Sequence, residues 1–138
     1  MNRLALDASV VLTWCFPDEE SQKALEISER IANGARVAAP AFWRHEILNA
    51  VLVGERRKRL TRDLSRTFID DLNRLPIDVD QSATSATVFD VTQAVCRKHG
   101  LTAYDAAYLE LALRGGHGLA TVDDDPHKAA AAEYVPLL

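Results

Sequence analysis

Cysteine is scarce in this chain: there are two in 138 residues, Cys15 and Cys96, and both sit among apolar neighbours such as Trp14, Phe16 and Val95. That count excludes a disulfide-built scaffold and fits small buried hydrophobes in a reducing compartment. Histidine is limited to His45, His99, His117 and His127, with no zinc-like spacing to each other or to the cysteines. No apolar run approaches the roughly 20 residues that a membrane span needs. The opening Leu4-Ala5-Leu6 is interrupted by Asp7 too soon for a signal peptide, so the expected compartment is the cytoplasm. An excess of basic charge is missing as well. A net charge of −4 argues against a protein that merely coats nucleic acid. It leaves room for an enzyme acting on nucleic acid, because an acidic site that holds divalent cations borrows its positive charge from the metal. There is no internal repeat, low-complexity segment or linker, and residues 1–138 have the length of one compact domain.

What the chain does have is a core and a pattern. Hydrophobic residues make up 48% of it. Short apolar runs at Leu4–Leu6, Arg36–Ala39, Ile77–Val79 and Leu119–Val122 read as buried strands, and Tyr134-Val135 reads as a final edge strand. Helical periodicity fills the intervals: Ala8–Phe16 with Ser9 as N-cap, Asp18–Asn33, Phe42–Arg59, Thr61–Leu75, Ser82–His99, Thr102–Arg114 and a short helix opened by Asp125-Pro126. In the fourth of these, Leu64, Phe68, Ile69 and Leu72 are expected to face inward, and the fifth reads as helical through Ala86, Phe89, Val91, Val95 and Cys96. Strands alternating with helices predict an α/β fold of three layers, with a central, mostly parallel sheet of four to five short strands.

Ligands of open α/β sheets gather outside the carboxyl ends of the strands. Two predicted strands run straight into acids there, Leu6 into Asp7 and Val122 into Asp123, while Glu46 and Asp105 lie near helix starts. Four carboxylates brought to one rim repel one another unless they are protonated or bound to a cation. An oxygen-only donor set suits Mg²⁺ or Mn²⁺, and such ions suit phosphoryl chemistry. Each acid also has a plainer reading. Asp7 can cap the first helix, although Ser9 can do that job. Asp105 follows Thr102 at capping-box spacing. Glu46 can be a solvated helix acid, although Phe42, Asn49 and Val53 share its face. In the run Asp123-Asp124-Asp125, Asp125 suits the cap ahead of Pro126, which frees Asp123, and Asp124 can take its place as ligand.

The motifs around these acids resemble a known family. Leu6-Asp7-Ala8-Ser9-Val10-Val11-Leu12, Pro40 to Ala50 with Glu46 and Asn49, Leu101-Thr102-Ala103-Tyr104-Asp105-Ala106-Ala107-Tyr108-Leu109, and Leu119-Ala120-Thr121-Val122-Asp123 follow one another in the order and spacing of PIN-domain ribonucleases. More narrowly, the chain resembles the VapC-like toxins of VapBC toxin–antitoxin pairs. The resemblance implies a PIN fold and metal ligation by Asp7, Glu46, Asp105 and Asp123, with Ser9, Asn49 and Thr121 as polar supports. It also implies Mg²⁺- or Mn²⁺-dependent cleavage of RNA, a homodimer, and inhibition by a small antitoxin protein. The chain departs from the pattern after Asp123, where further acids stand in place of an apolar residue.

Cations are dense at Arg56, Arg57, Lys58, Arg59, Arg62 and Arg66, a stretch that can track an RNA backbone or simply be a solvated helix end. Arg44 and His45, beside Glu46, are further candidates for RNA contact. Tyr104 and Tyr108 can stack on bases, although their helical spacing fits core or interface better. Two alternatives at the level of function are a non-catalytic PIN-like binding module and a different acid-at-strand-end protein. A phospho-accepting receiver wants a lysine after its late strand, and a dehalogenase-like phosphatase wants an Asp where Ser9 stands.

Overall fold

A computed structural model of the chain describes residues 3–138. Four strands form one sheet in the order β3-β2-β1-β4, and every pairing is parallel. The strands are β1 (Arg3–Leu6), β2 (Arg36–Ala39), β3 (Ile77–Val79) and β4 (Gly118–Ala120). Leu4, Ala5 and Leu6 are each 0% exposed. Successive strand residues point to opposite faces, so this run of full burial means that helices cover both sides of the central strand. A bridge between Leu119 and Leu137 guards the β4 edge. The closing edge contact is thus made at Leu137 rather than at the expected Tyr134-Val135. Tyr134 has a φ of 57° and is 94% exposed, so it turns the chain.

The helices are α1 (Ala8–Cys15), α2 (Gln22–Ala32), α3 (Trp43–Arg56), α4 (Arg62–Asn73), α5 (Gln93–His99), α6 (Ala103–Gly115) and α7 (Asp124–Ala132). Several begin where short polar residues offer a cap: Ser21 accepts from the Ala24 N–H, Thr61 from the Leu64 N–H and Thr102 from the Asp105 N–H. The predicted Asp18–Asn33 helix is interrupted, because Pro17–Glu19 forms a 3₁₀ turn and Ser21 restarts the chain. In α3, Trp43, Ile47, Val51 and Gly54 form the buried stripe, each large side chain contributing about 1.5–3 kcal/mol. Gly54 is required by contact: a Cβ there would lie 2.6 Å from the Phe16 ring. At the end of α6, Gly116 takes a φ of 67°, which reverses the chain into β4 at no steric cost.

Three of the apolar residues read on these helices, Leu64, Phe89 and Val91, point outward, while Val95 is buried. Leu64 is 57% exposed, while Phe68 and Leu72 pack on the core as expected. The segment before α5 contains a π-helical turn, Thr87–Thr92. Widening the turn shifts the phase of the side chains, and Phe89 and Val91 stand 67% and 49% exposed. Among the described residues no helix is long and apolar enough to cross a membrane.

Candidate active site

β1 lies between β2 and β4: the chain steps from β1 outward to β2 and β3, then crosses back to place β4 on the other side of β1. That reversal opens a crevice at the carboxyl ends of β1 and β4. Asp7 follows β1 directly, and its N–H donates to the Ala120 carbonyl of β4 at 2.9 Å. One residue beyond Ala120 is Thr121, fully buried, and then come Val122 and Asp123.

Thr121 organises this rim. Its hydroxyl donates to Asp7 Oδ2 at 2.7 Å and accepts from the Asp123 N–H at 3.1 Å. The Thr121 proton is therefore committed to Asp7, so the hydroxyl of Ser9, 3.3 Å away, is the donor in the contact between them. Ser9 Oγ in turn accepts from the Val122 N–H at 3.2 Å. The cap of α1 is Asp7 and not Ser9: Asp7 Oδ1 accepts from the Ser9 N–H at 3.2 Å. Pairing of β1 with β4 ends at Asp7, which puts the cap one residue after the strand and frees Ser9 to tie α1 to the strand β4 exit. Asp123 occupies the cap position of α7 without a side-chain capping bond. Its carboxylate stays available, and Asp125 lies inside the helix instead of capping it.

The rim brings three acids together. One carboxylate oxygen from each of Asp7, Asp105 and Asp123 lies within 4.8 Å of the others. Asp7 is buried, Asp105 half-buried and Asp123 exposed. Asp124 and Asp125 are not members of that group. Glu46, on the first turn of α3, lines the same cleft outside the triad. Its Oε1 accepts from the Tyr108 hydroxyl at 2.5 Å.

The electrostatics follow from the crowding. Burial pushes the Asp7 carboxyl up to about 6, and the charges of Asp123 and Glu46 add to the rise against the bonds from Thr121 and Ser9. Glu46 is raised mainly by burial, then by Asp105 and Asp123, with the Tyr108 bond opposing. Asp105 is raised by burial and by Asp123, and Asp123 by burial and by Asp124 and Asp125. None of the ion pairs formed among the described residues includes Asp7, Glu46, Asp105 or Asp123.

The cleft continues from the acids past Asn49, Val53 and Gly54 to Arg57 and Arg59. Asn49, one turn after Glu46 on α3, lines it beside Ser9. Arg59 is pinned: its guanidinium bonds Asp18 at 3.0 Å and lies 4.3 Å over the Phe16 ring. Arg57 lines the cleft without an ion pair among the described residues. The other basic candidates are elsewhere. Arg44 lines an apolar groove between α3 and α4, Arg56 lines a separate hollow with Arg62, and His45 is exposed outside the cleft lining.

Tyr104 is 60% exposed and meets the Phe42 ring edge-on at 5.2 Å. Tyr108 is 0% exposed, a core residue whose hydroxyl also accepts from the Ala8 N–H at 3.3 Å. Sequence reasoning missed that polar role. Its signal was spacing, since Tyr108 stands one helical turn after Asp105 and so faces the same way.

The profile of the PIN domain family matches residues 4–132. Ribonuclease VapC3 of Pyrobaculum aerophilum is 27% identical over 121 residues, covering 88% of this chain and 89% of that protein. The crystal structure of PAE2754, also from Pyrobaculum aerophilum, matches the fold with a TM-score of 0.68 at 22% identity, over 94% of this chain and 79% of the other.

Proposed function

The chain belongs to the PIN domain family, and on that premise we propose that it is a divalent-metal-dependent endoribonuclease that acts as the toxin of a toxin–antitoxin pair. The observation that carries this reading is the triad: three aspartate oxygens within 4.8 Å of one another, with none of the ion pairs among the described residues engaging them. The donor set fits a hard divalent ion. Every group offered is a carboxylate oxygen, and no histidine or cysteine is among the described residues lining the cleft. Mg²⁺, or Mn²⁺ in its place, supplies water activation and charge neutralisation at a phosphodiester when bound.

The chain's own residues have distinct tasks in this proposal. Asp7, Asp105 and Asp123 hold the ion, and Glu46 adds charge from the α3 side of the cleft. Thr121 and Ser9 keep Asp7 aimed through the bonds described above, which fixes the geometry before substrate arrives. Asn49 faces the substrate's phosphate or orients Glu46. Arg57 holds the RNA backbone further along the cleft, where a positive charge draws a polyanion. The partners proposed are the RNA, a small antitoxin protein and a second copy of the chain. Exposed Val88, Phe89 and Val91 on the π-helical turn offer apolar surface of the kind such contacts bury. The working compartment proposed is the cytoplasm.

Purified protein freed of any co-purifying antitoxin is mixed with total RNA and Mg²⁺ or Mn²⁺, beside chelated samples and the Asp7→Asn and Asp105→Asn variants. Discrete fragments that require the ion are expected, with cleavage by either variant reduced by roughly 10³-fold, the equivalent of several kcal/mol of lost charge stabilisation. Full cleavage by either folded variant would sink the proposal. No cleavage by the wild type would favour a non-catalytic binding module.

A further inference from the structure

Glu46 differs from the triad in that one of its oxygens is already committed. Tyr108 donates to Oε1 at 2.5 Å, and the same hydroxyl accepts from the Ala8 N–H at 3.3 Å. A phenol has one proton, and with the Ala8 N–H facing its lone pairs that proton is directed at Glu46. The ring cannot swing away. It is 0% exposed, and Phe42 packs against it edge-on at 5.8 Å. The hydroxyl therefore joins the start of α1, the first turn of α3 and the helix that carries Asp105.

We infer that Tyr108 is a positioning residue that leaves Glu46 a single unengaged oxygen for a cation in the acid cleft, and so sets the preference of the site for small octahedral ions over calcium. The inference rests on the cation-site reading above. Mg²⁺ and Mn²⁺ take carboxylates singly and keep several waters, whereas Ca²⁺ takes more oxygens and readily draws on both of one carboxylate. An ion drawing on both oxygens of Glu46 must compete with the Tyr108 proton for Oε1, in a part-buried, charge-assisted bond.

The test is separate titration of the wild type, Tyr108→Phe, Glu46→Gln and the double variant with Mn²⁺ and with Ca²⁺, followed calorimetrically. In Tyr108→Phe the Mn²⁺ affinity is expected to fall roughly tenfold, the scale of a lost outer partner, while Ca²⁺ affinity holds or rises. The preference for Mn²⁺ therefore shrinks. In the Glu46→Gln background the same change is expected to leave the preference where it is. Glu46→Asp, which withdraws the carboxylate from the hydroxyl without altering the core, is expected to shrink the preference as Tyr108→Phe does. A merely structural tyrosine would weaken both ions alike, and would do so whatever stands at position 46. A parallel loss, or an unchanged preference in Tyr108→Phe and Glu46→Asp, overturns the inference alone. A wild type that binds neither ion overturns the cation site and the inference together.

Discussion

Two groups of acids in this molecule are treated in opposite ways. Asp80, in the segment after β3, and Glu110, on α6, close around Arg114. The guanidinium bonds Asp80 Oδ2 at 2.7 Å and Glu110 at 2.7 and 2.9 Å, and it reaches Ser82 Oγ at 2.6 Å. Glu110 is only 5% exposed, yet it is fully paired. The Arg114 guanidinium holds Asp80 well below the usual carboxylate range, and the two acids push Arg114 further up. In the cleft four acids crowd together with no ion pair to any of them among the described residues, and all four carboxyls are raised. The first arrangement completes itself and ties a loop to a helix. The second stays uncompensated among the described residues, and under the proposed function its balancing charge is a divalent cation from outside.

The largest stability effect is expected where the pairing is complete. Arg114→Met leaves Glu110 buried without its partner, at a cost on the order of 2–3 kcal/mol, less than for a wholly buried pair because Arg114 is partly exposed. Asp105→Asn, by contrast, removes one of several repelling charges and is expected to leave the metal-free protein no less stable. Urea unfolding at neutral pH compares the two. Equal losses in both variants would erase the distinction between the regions.

The pH dependence separates them by sign. Asp7, with its folded pKa raised to about 6 from 3.8, holds its proton more tightly when folded. In the metal-free protein its contribution is present at acid pH and is lost as pH rises through about 4 to 6, a change of at most ~2–3 kcal/mol. Asp80 is depressed, so its contribution is present above its unfolded pKa and is lost as pH falls below about 4. Denaturant unfolding from acid to neutral pH should therefore show a flatter rise-side slope in Asp7→Asn and a weaker acid-side loss in Asp80→Asn. The reverse assignment of slopes would contradict the electrostatic account.

Much of the cleft was legible because strand ends and caps are written locally. The run Leu4-Ala5-Leu6 into Asp7, and Leu119 to Val122 into Asp123, placed two acids at one edge once the strands were read as parallel. Thr102 announced α6, and with it the position of Asp105. The choice between Asp7 and Ser9 as cap was not local, since it depends on where β1 stops pairing with β4. Nor was the outward turn of Phe89 and Val91, because one π-helical turn changes the phase of a periodic face. The separation of Arg57 from Arg44 and Arg56 depends on which side of α3 meets the cleft, and a run of adjacent cations hides that. The hydroxyl of Tyr108 was concealed by its ring, which reads as core and is core.

The most direct test of the central claim is thermal unfolding of the wild type and Asp7→Asn at neutral pH, each without metal and with Mn²⁺. The account predicts that the metal-free variant melts above the metal-free wild type, that Mn²⁺ raises the wild type by several degrees, and that Mn²⁺ barely moves the variant. A variant that melts no higher than the wild type, together with a wild type indifferent to Mn²⁺, would contradict the reading of these acids as an uncompensated cation site.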